Sequence, residues 1–254
     1  MTRASRLPRV IGHRGAAAHA PENTLAGFRV AKLLGAAWVE FDVRLTADGR
    51  CILLHDDTIE RTTDGRGVAA ELTLAELAVF DAGAWFDPKF AGETVPTLEE
   101  AIDLLAELGL GANIEIKPHP GAGPATARAV VDILRTNWPA SLPAPLLSSF
   151  DRTALEAARD AAPGIERGVL LRELGTDWRS LADALDATTV HCDHSRLTAA
   201  KAKEVQASGY PLLAYTVNHA GRAEELAGWG VCGFFTDVPD QLAGLARSGP
   251  AMVE

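Results

Sequence analysis

Eight short β-rich apolar runs alternate with helix-patterned stretches along almost the whole chain, and this alternation constrains the fold most. The runs are RVIG, WVEFDV, GANIEIK, PLLSSF, RGVLL, TTVHCD, LLAYTV and GFFTD. Between them lie stretches such as TLEEAIDLLAELG and ATARAVVDILRTNW, whose apolar residues recur at helical spacing. Strands separated by helices cross over and pair in parallel. Eight such units in 254 residues predict an α/β fold of the (β/α)8 TIM-barrel type, with a doubly wound sheet as the runner-up. A hydrophobic content of 47% supplies the core of one domain spanning residues 8–247.

One segment breaks the rhythm. After WVEFDV, the pair Asp48-Gly49 signals a hairpin. The run CILLHDD then turns back, which returns His55 to the strand end that carries Glu40 and Asp42. Residues 58–96 read as a small insertion after the second strand, with Gly-rich turns and one short helix. This insertion is expected to cap the barrel mouth, with Trp85 and Phe86 over one side of it.

Charge and cysteine usage exclude several classes. The formal net charge is −10 and no basic stripe appears, which argues against a nucleic-acid partner. No apolar run is long enough for membrane insertion, and MTRASRLPRV lacks the apolar centre of a signal peptide. Cys51, Cys192 and Cys232 are isolated, which argues against a disulfide framework or a cysteine metal site. A cytoplasmic location is the expectation, and a homodimer is compatible with it.

A barrel carries its chemistry at the C-terminal ends of its strands. The polar residues there are His13 and Arg14, Glu40 and Asp42, Glu115 and Lys117, His191 and Asp193, and Asp237, joined by His55 through the hairpin. A strand puts residues i and i+2 on one face, so Glu40-x-Asp42 aims two carboxylates at one point. Buried anions need a cation. For either pair alone, a structural ion pair with Lys117 is the ordinary explanation. With Glu115-x-Lys117 on the next barrel strand, Glu40, Asp42 and Glu115 form an oxygen-only set suited to a hard dication, Mg²⁺ or Ca²⁺, with Mn²⁺ an allowed substitute. Arg14 and Lys117 then make a phosphate pocket. His13 and His55 become a general acid and a general base. His191, Phe150 and Tyr215 sit at strand ends where they shape the substrate side of the pocket. In PENT, Asn23 and Thr24 read as helix caps and Glu22 as a charge on the helix's positive end.

The ordered set GHRG…PENTL, EFDVRLTADG, LLHDDTIERTT, NIEIK, LLSSF, YTVN and FTD resembles the glycerophosphodiester phosphodiesterases, from about Arg9 to about Asp240. The likeness is closest to cytoplasmic bacterial members associated with glycerol-3-phosphate uptake. It implies a (β/α)8 barrel with an insertion after the second strand, His13 and His55 as catalytic histidines, and Glu40, Asp42 and Glu115 as metal ligands. It also implies Arg14 and Lys117 as phosphate-binding cations, and cleavage of glycerophosphodiesters such as glycerophosphocholine or glycerophosphoethanolamine to glycerol 3-phosphate and an alcohol. Relatives often carry Trp where this chain has Tyr215. Rival readings are a phosphosugar isomerase or aldolase, a non-catalytic phosphodiester binder and a spider-toxin-like phospholipase. They would call respectively for a Gly-rich cradle after the last strands, a missing histidine, and a leader with paired cysteines.

Overall fold

The computed structural model describes residues 7–247. Nine strands form one sheet: β1 (Val10–Gly12), β2 (Trp38–Leu45), β3 (Cys51–Leu53), β4 (Gly111–Ile116), β5 (Leu146–Ser149), β6 (Glu166–Leu171), β7 (Thr189–Asp193), β8 (Leu212–Tyr215) and β9 (Gly233–Thr236). The spatial order is β1-β9-β8-β7-β6-β5-β4-β2-β3, and a parallel β1–β2 pairing closes the ring. Eight strands are parallel and only β3 is antiparallel, with Val43 opposite Leu53 and Leu45 opposite Cys51. This is the TIM barrel expected from the alternation, with β3 as the return of the Asp48-Gly49 hairpin.

Parallel strands covered by helices are apolar on both faces, and β2 shows how the alternation is used. Val39, Phe41 and Val43 point outward into a core shared with the helices α1 (Leu25–Leu33) and α3 (Leu98–Leu108). Phe41 meets Phe28 of α1 at 5.2 Å between ring centroids. Truncating such a buried ring to alanine costs about 3–5 kcal/mol, so Phe41→Ala would loosen the strand that carries the two carboxylates. The alternate positions face the barrel interior. There Trp38 joins Ile11, Leu146, Leu213 and Phe235 in a small apolar plug, and Glu40 and Asp42 lie above it toward the strand ends.

The insertion is tied down at both edges. Leu53 donates its backbone N–H to Pro96 O at 2.9 Å, and Thr97 opens α3 in a capping box with Glu100. Between these points the segment builds its own small core from Ile59, Ala69, Leu77 of the short helix α2 (Leu74–Leu77), Ala82 and Val95, packed on Ile52 and Leu54 of the hairpin. Trp85 turns its indole N–H to Ala82 O at 2.9 Å and packs edge-on against Phe86, which in turn meets Phe90.

Candidate active site

A cavity of about 670 Å³ opens at the C-terminal ends of the strands. His13, Arg14, Glu40, His55, Glu115 and Lys117 line one side of it, and Phe150, His191 and Tyr215 the other. Asp42, buried beneath, completes the group. The sequence therefore brings together every residue expected at the site. Neither Trp85 nor Phe86 nor any other residue of 58–96 lines this cavity. The two rings pack edge-on against each other outside the segment's core, and Trp85 stays 41% exposed.

His13 and Arg14 leave β1 through a tight turn that glycine makes feasible. A Cβ on Gly12 would fall 2.0 Å from Gly15 O, and Gly15 adopts φ 91° hard against the backbone of Gly27. Arg14 itself sits at φ 49°, a conformation uncommon outside glycine. The turn aims the Arg14 backbone N–H at Glu40 Oε2, 3.0 Å away.

The carboxylates of Glu40, Asp42 and Glu115 offer oxygens that all lie within 4.8 Å of one another. Lys117 Nζ stands 2.9 Å from Glu115 Oε1 and 3.2 Å from Asp42 Oδ1, and Arg14 Nε stands 3.3 Å from Asp42 Oδ2. Asn23 grips Asp42 twice: its side-chain amide donates to Oδ2 at 2.9 Å, and its carbonyl accepts the Asp42 backbone N–H at 3.1 Å. Burial works against Asp42, but Lys117, Arg14, His55 and the Asn23 bond hold its carboxyl well below the usual range. Glu40 and Glu115 are pushed up, first by burial and then by repulsion from Asp42. A dication would offset the mutual repulsion that pushes Glu40 and Glu115 up, and the all-oxygen donor set is the kind that holds Mg²⁺ or Ca²⁺.

Each histidine has a carboxylate behind it. His13 Nδ1 lies 2.6 Å from Asp237 Oδ1, and its Nε2 lies 3.9 Å from Glu40. Asn218 donates to the other Asp237 oxygen at 2.6 Å. His55 Nδ1 lies 2.6 Å from Asp56 Oδ1, and the His55 carbonyl accepts two bonds from the Arg44 guanidinium at 3.0 and 2.7 Å. Burial lowers the proton affinity of both rings. For His13, the Asp237 bond and Glu40 outweigh burial and the net shift is upward. For His55, burial wins and the shift is downward, with Asp42 and Asp56 opposing it while Arg14 and Lys117 reinforce it.

On the far side, Phe150 and Tyr215 meet edge-on at 5.9 Å, and the Tyr215 hydroxyl donates to Leu171 O at 2.9 Å. His191 is fully buried, with Nε2 2.9 Å from Thr189 Oγ1 and its ring against Phe235. Burial pushes its pKa down to about 3, so it is neutral at working pH.

Sequence reasoning missed the supporting residues. Asp237 stands at a strand end with no role assigned to it; barrel closure, which sets β9 beside β1, is the signal that pairs it with His13. The PENT segment is more than a helix opening. Thr24 does cap α1, accepting from Gly27 N at 3.1 Å, but Asn23 holds Asp42 and Glu22 pairs with Arg14 Nη1 at 2.7 Å. A second cavity of about 490 Å³ lies at the N-terminal end of β6, where buried Arg167 spends its guanidinium on backbone carbonyls of Ile165 and Leu185.

A closed parallel barrel with two carboxylate-backed histidines and three clustered carboxylates at its C-terminal mouth has the architecture of a barrel enzyme. Residues 13–241 match the glycerophosphoryl diester phosphodiesterase family. The chain belongs to that family, and the phosphodiesterase expected from its motifs is borne out. It is 34% identical over 245 residues to a glycerophosphodiester phosphodiesterase of Caldanaerobacter subterraneus, covering 94% of this chain and 98% of that protein. An Oleispira antarctica phosphodiesterase, solved in complex with the product sn-glycerol-3-phosphate, superposes with a TM-score of 0.92 at 39% identity, covering 95% and 97% of the two chains. A glycerophosphodiester phosphodiesterase from Agrobacterium tumefaciens superposes with a TM-score of 0.78 at 27% identity, over 94% and 100% of the chains. Among the described residues, no helix is long and apolar enough to cross a membrane.

Proposed function

We propose that the chain hydrolyses glycerophosphodiesters to sn-glycerol 3-phosphate and an alcohol, with glycerophosphocholine and glycerophosphoethanolamine as representative substrates. The observation that carries this is the meeting, in one cavity, of two carboxylate-backed histidines with Arg14, Lys117 and the buried Glu40, Asp42 and Glu115 cluster. Glu40, Asp42 and Glu115 would hold one dication, Mg²⁺, Ca²⁺ or Mn²⁺, which when bound supplies Lewis-acid stabilisation of the phosphoryl charge. Arg14 and Lys117 bind the phosphate oxygens, the guanidinium as a fork and the ammonium as a point charge. His191, Phe150 and Tyr215 bound the rest of the substrate.

Among the described residues, the strand-end serines and the two buried strand cysteines are poorly placed to attack. The Ser149 hydroxyl donates to Ile116 O at 2.6 Å, and Ser148 Oγ accepts from Asn113 at 2.9 Å. Cys51 and Cys192 are buried, and burial pushes their thiols up to about 12 and about 11. The attacking oxygen is then that of water or of the substrate, and the reading adopted is attack by the glycerol hydroxyl that neighbours the phosphorylated carbon. Held against phosphorus, such an intramolecular nucleophile reaches effective molarities on the order of 10⁵ M or more. One histidine removes the hydroxyl proton as the oxygen–phosphorus bond forms. The other protonates the alcohol oxygen as its bond to phosphorus breaks. A cyclic glycerol phosphate results, and water opens it with the proton roles reversed.

The test is release of sn-glycerol 3-phosphate from glycerophosphocholine with Mg²⁺, Ca²⁺ or Mn²⁺, and its loss with chelator. No release with any of the three ions overturns the reading. A substrate lacking the neighbouring hydroxyl is expected to bind as an inhibitor and turn over far more slowly; equal kcat would assign the attack to water instead.

A further inference from the structure

The insertion contributes no lining to the cavity, yet one of its side chains reaches the site's supports. Arg61 uses all three guanidinium nitrogens on two carboxylates at once. Its Nε donates to Asp56 Oδ2 at 2.6 Å and its Nη2 to Asp56 Oδ1 at 3.2 Å. Its Nη1 and Nη2 donate to Glu22 Oε2 and Oε1, both at 2.8 Å. Each carboxylate has a second partner inside the site. Asp56 Oδ1 is the oxygen against His55 Nδ1, and Glu22 Oε1 is the oxygen against Arg14 Nη1. One arginine thus clasps the group behind a proposed proton carrier and the group behind a proposed phosphate ligand.

We propose that Arg61 is a positioning residue for the phosphodiesterase reaction, fixing the His55 ring through Asp56 and the Arg14 guanidinium through Glu22. This rests on the assignment of His55 and Arg14 made above. The physical basis is donor counting. An ionised carboxylate only accepts, so Asp56 requires the His55 proton on Nδ1 and leaves Nε2 free for the cavity. Arg61 keeps Asp56 ionised and fixed in direction. Glu22 lies between two guanidiniums, and without Arg61 its carboxylate is free to rotate onto Arg14 alone and to draw that side chain away from the phosphate. The insertion's small core holds the donor in place: Ile59 is buried in it, and the Thr63 hydroxyl donates to Ile59 O at 2.8 Å, so the turn that carries Arg61 is anchored on both sides. Lysine cannot replace it, since one ammonium does not span two bidentate carboxylates. The role of residues 58–96, on this view, is to present Arg61 rather than to cover the substrate.

The test compares Arg61→Ala and Arg61→Lys with wild-type protein loaded with its metal. Both are expected to lose about 10–100-fold in kcat, the range for removing an outer partner of a site residue, with unchanged metal affinity and little change in Tm. Millimolar guanidinium is expected to restore part of the Arg61→Ala activity. In an Asp56→Asn background, Arg61→Ala is expected to cost only a few-fold more. Wild-type kcat in either variant overturns the inference, as does a loss that tracks a fall in Tm or metal affinity and is not restored by guanidinium. Should His55→Ala and Arg14→Ala themselves keep full activity, the functional reading fails rather than the clasp alone; should they lose it while Arg61→Ala does not, only the clasp fails.

Discussion

The two histidines of the site are alike in chemistry and opposite in construction. His13 belongs to the barrel. Its backbone N–H donates to Thr236 O of the neighbouring strand at 2.8 Å, and its carboxylate partner Asp237 follows that same strand. His55 belongs to the hairpin. Its carbonyl is held by a side chain, buried Arg44, and its partner Asp56 is the next residue in the chain. Burial opposes the proton at both rings and is overcome at His13, the more buried of the two, and not at His55, so their proton affinities move apart. The two imidazoles become unequal through their neighbours: the Asp237 bond and Glu40 raise His13, whereas burial with Arg14 and Lys117 lowers His55 against the pull of Asp42 and Asp56.

The largest effects that test this comparison come from removing the rings. His13→Ala and His55→Ala are each expected to lower kcat by roughly two to four orders of magnitude, with metal affinity retained. Glu40→Ala, Asp42→Ala and Glu115→Ala are expected to weaken metal binding itself, measured by titration calorimetry. Histidine variants that lose the metal while carboxylate variants keep it would invert the assignment.

Smaller losses separate the supports. Asp237→Asn removes the partner of His13 and is expected to cost about 10–100-fold in kcat. It also takes away the strongest influence holding the His13 proton affinity up, so that affinity should fall toward the value that burial dictates. The shift is readable by NMR titration of the ring. An unchanged His13 titration in Asp237→Asn would leave Glu40 as its controlling neighbour.

Selectivity among alcohols is expected to respond to the far wall and not to the insertion's aromatics. Phe150→Ala should change the ratio of kcat/KM for glycerophosphocholine and glycerophosphoethanolamine by several-fold, because Phe150 lines the cavity and is 46% exposed. Trp85→Ala should leave that ratio unchanged. The opposite outcome would return the insertion to the substrate side.

The barrel and the site's inner residues were legible because they follow period-two and strand–helix rules that act within a few residues. Glu40 and Asp42 share a face by spacing alone, and Asp48-Gly49 brings His55 back. What lay beyond the sequence was the set of contacts made by ring closure and by long side chains. Asp237 meets His13 across 224 residues, Arg61 meets Glu22 across 39, and no local period encodes either. The surroundings of Trp85 and Phe86 were out of reach for a related reason. Two adjacent aromatics in a loop give no local signal of their partners, the Phe90 ring and the Ala82 carbonyl.

The smallest expected effect concerns His191, which the comparison leaves outside the pair of proton carriers. Burial alone pushes its pKa down to about 3, against 6.5 for an exposed ring. Between those values the unfolded chain binds a proton that the folded chain refuses. The unfolded state therefore holds more protons, and stability rises with pH across this window. The contribution is fully present above about pH 7 and is lost as pH falls through the unfolded value. Replacing the ring with a neutral amide in His191→Gln removes the titration. Measured by urea unfolding, the variant should gain on wild type by about 2 kcal/mol between roughly pH 7 and pH 5, whatever its stability at neutral pH. Parallel pH curves for the two proteins would mean that the folded state accommodates the protonated ring, and would reopen His191 as a charged contact for substrate.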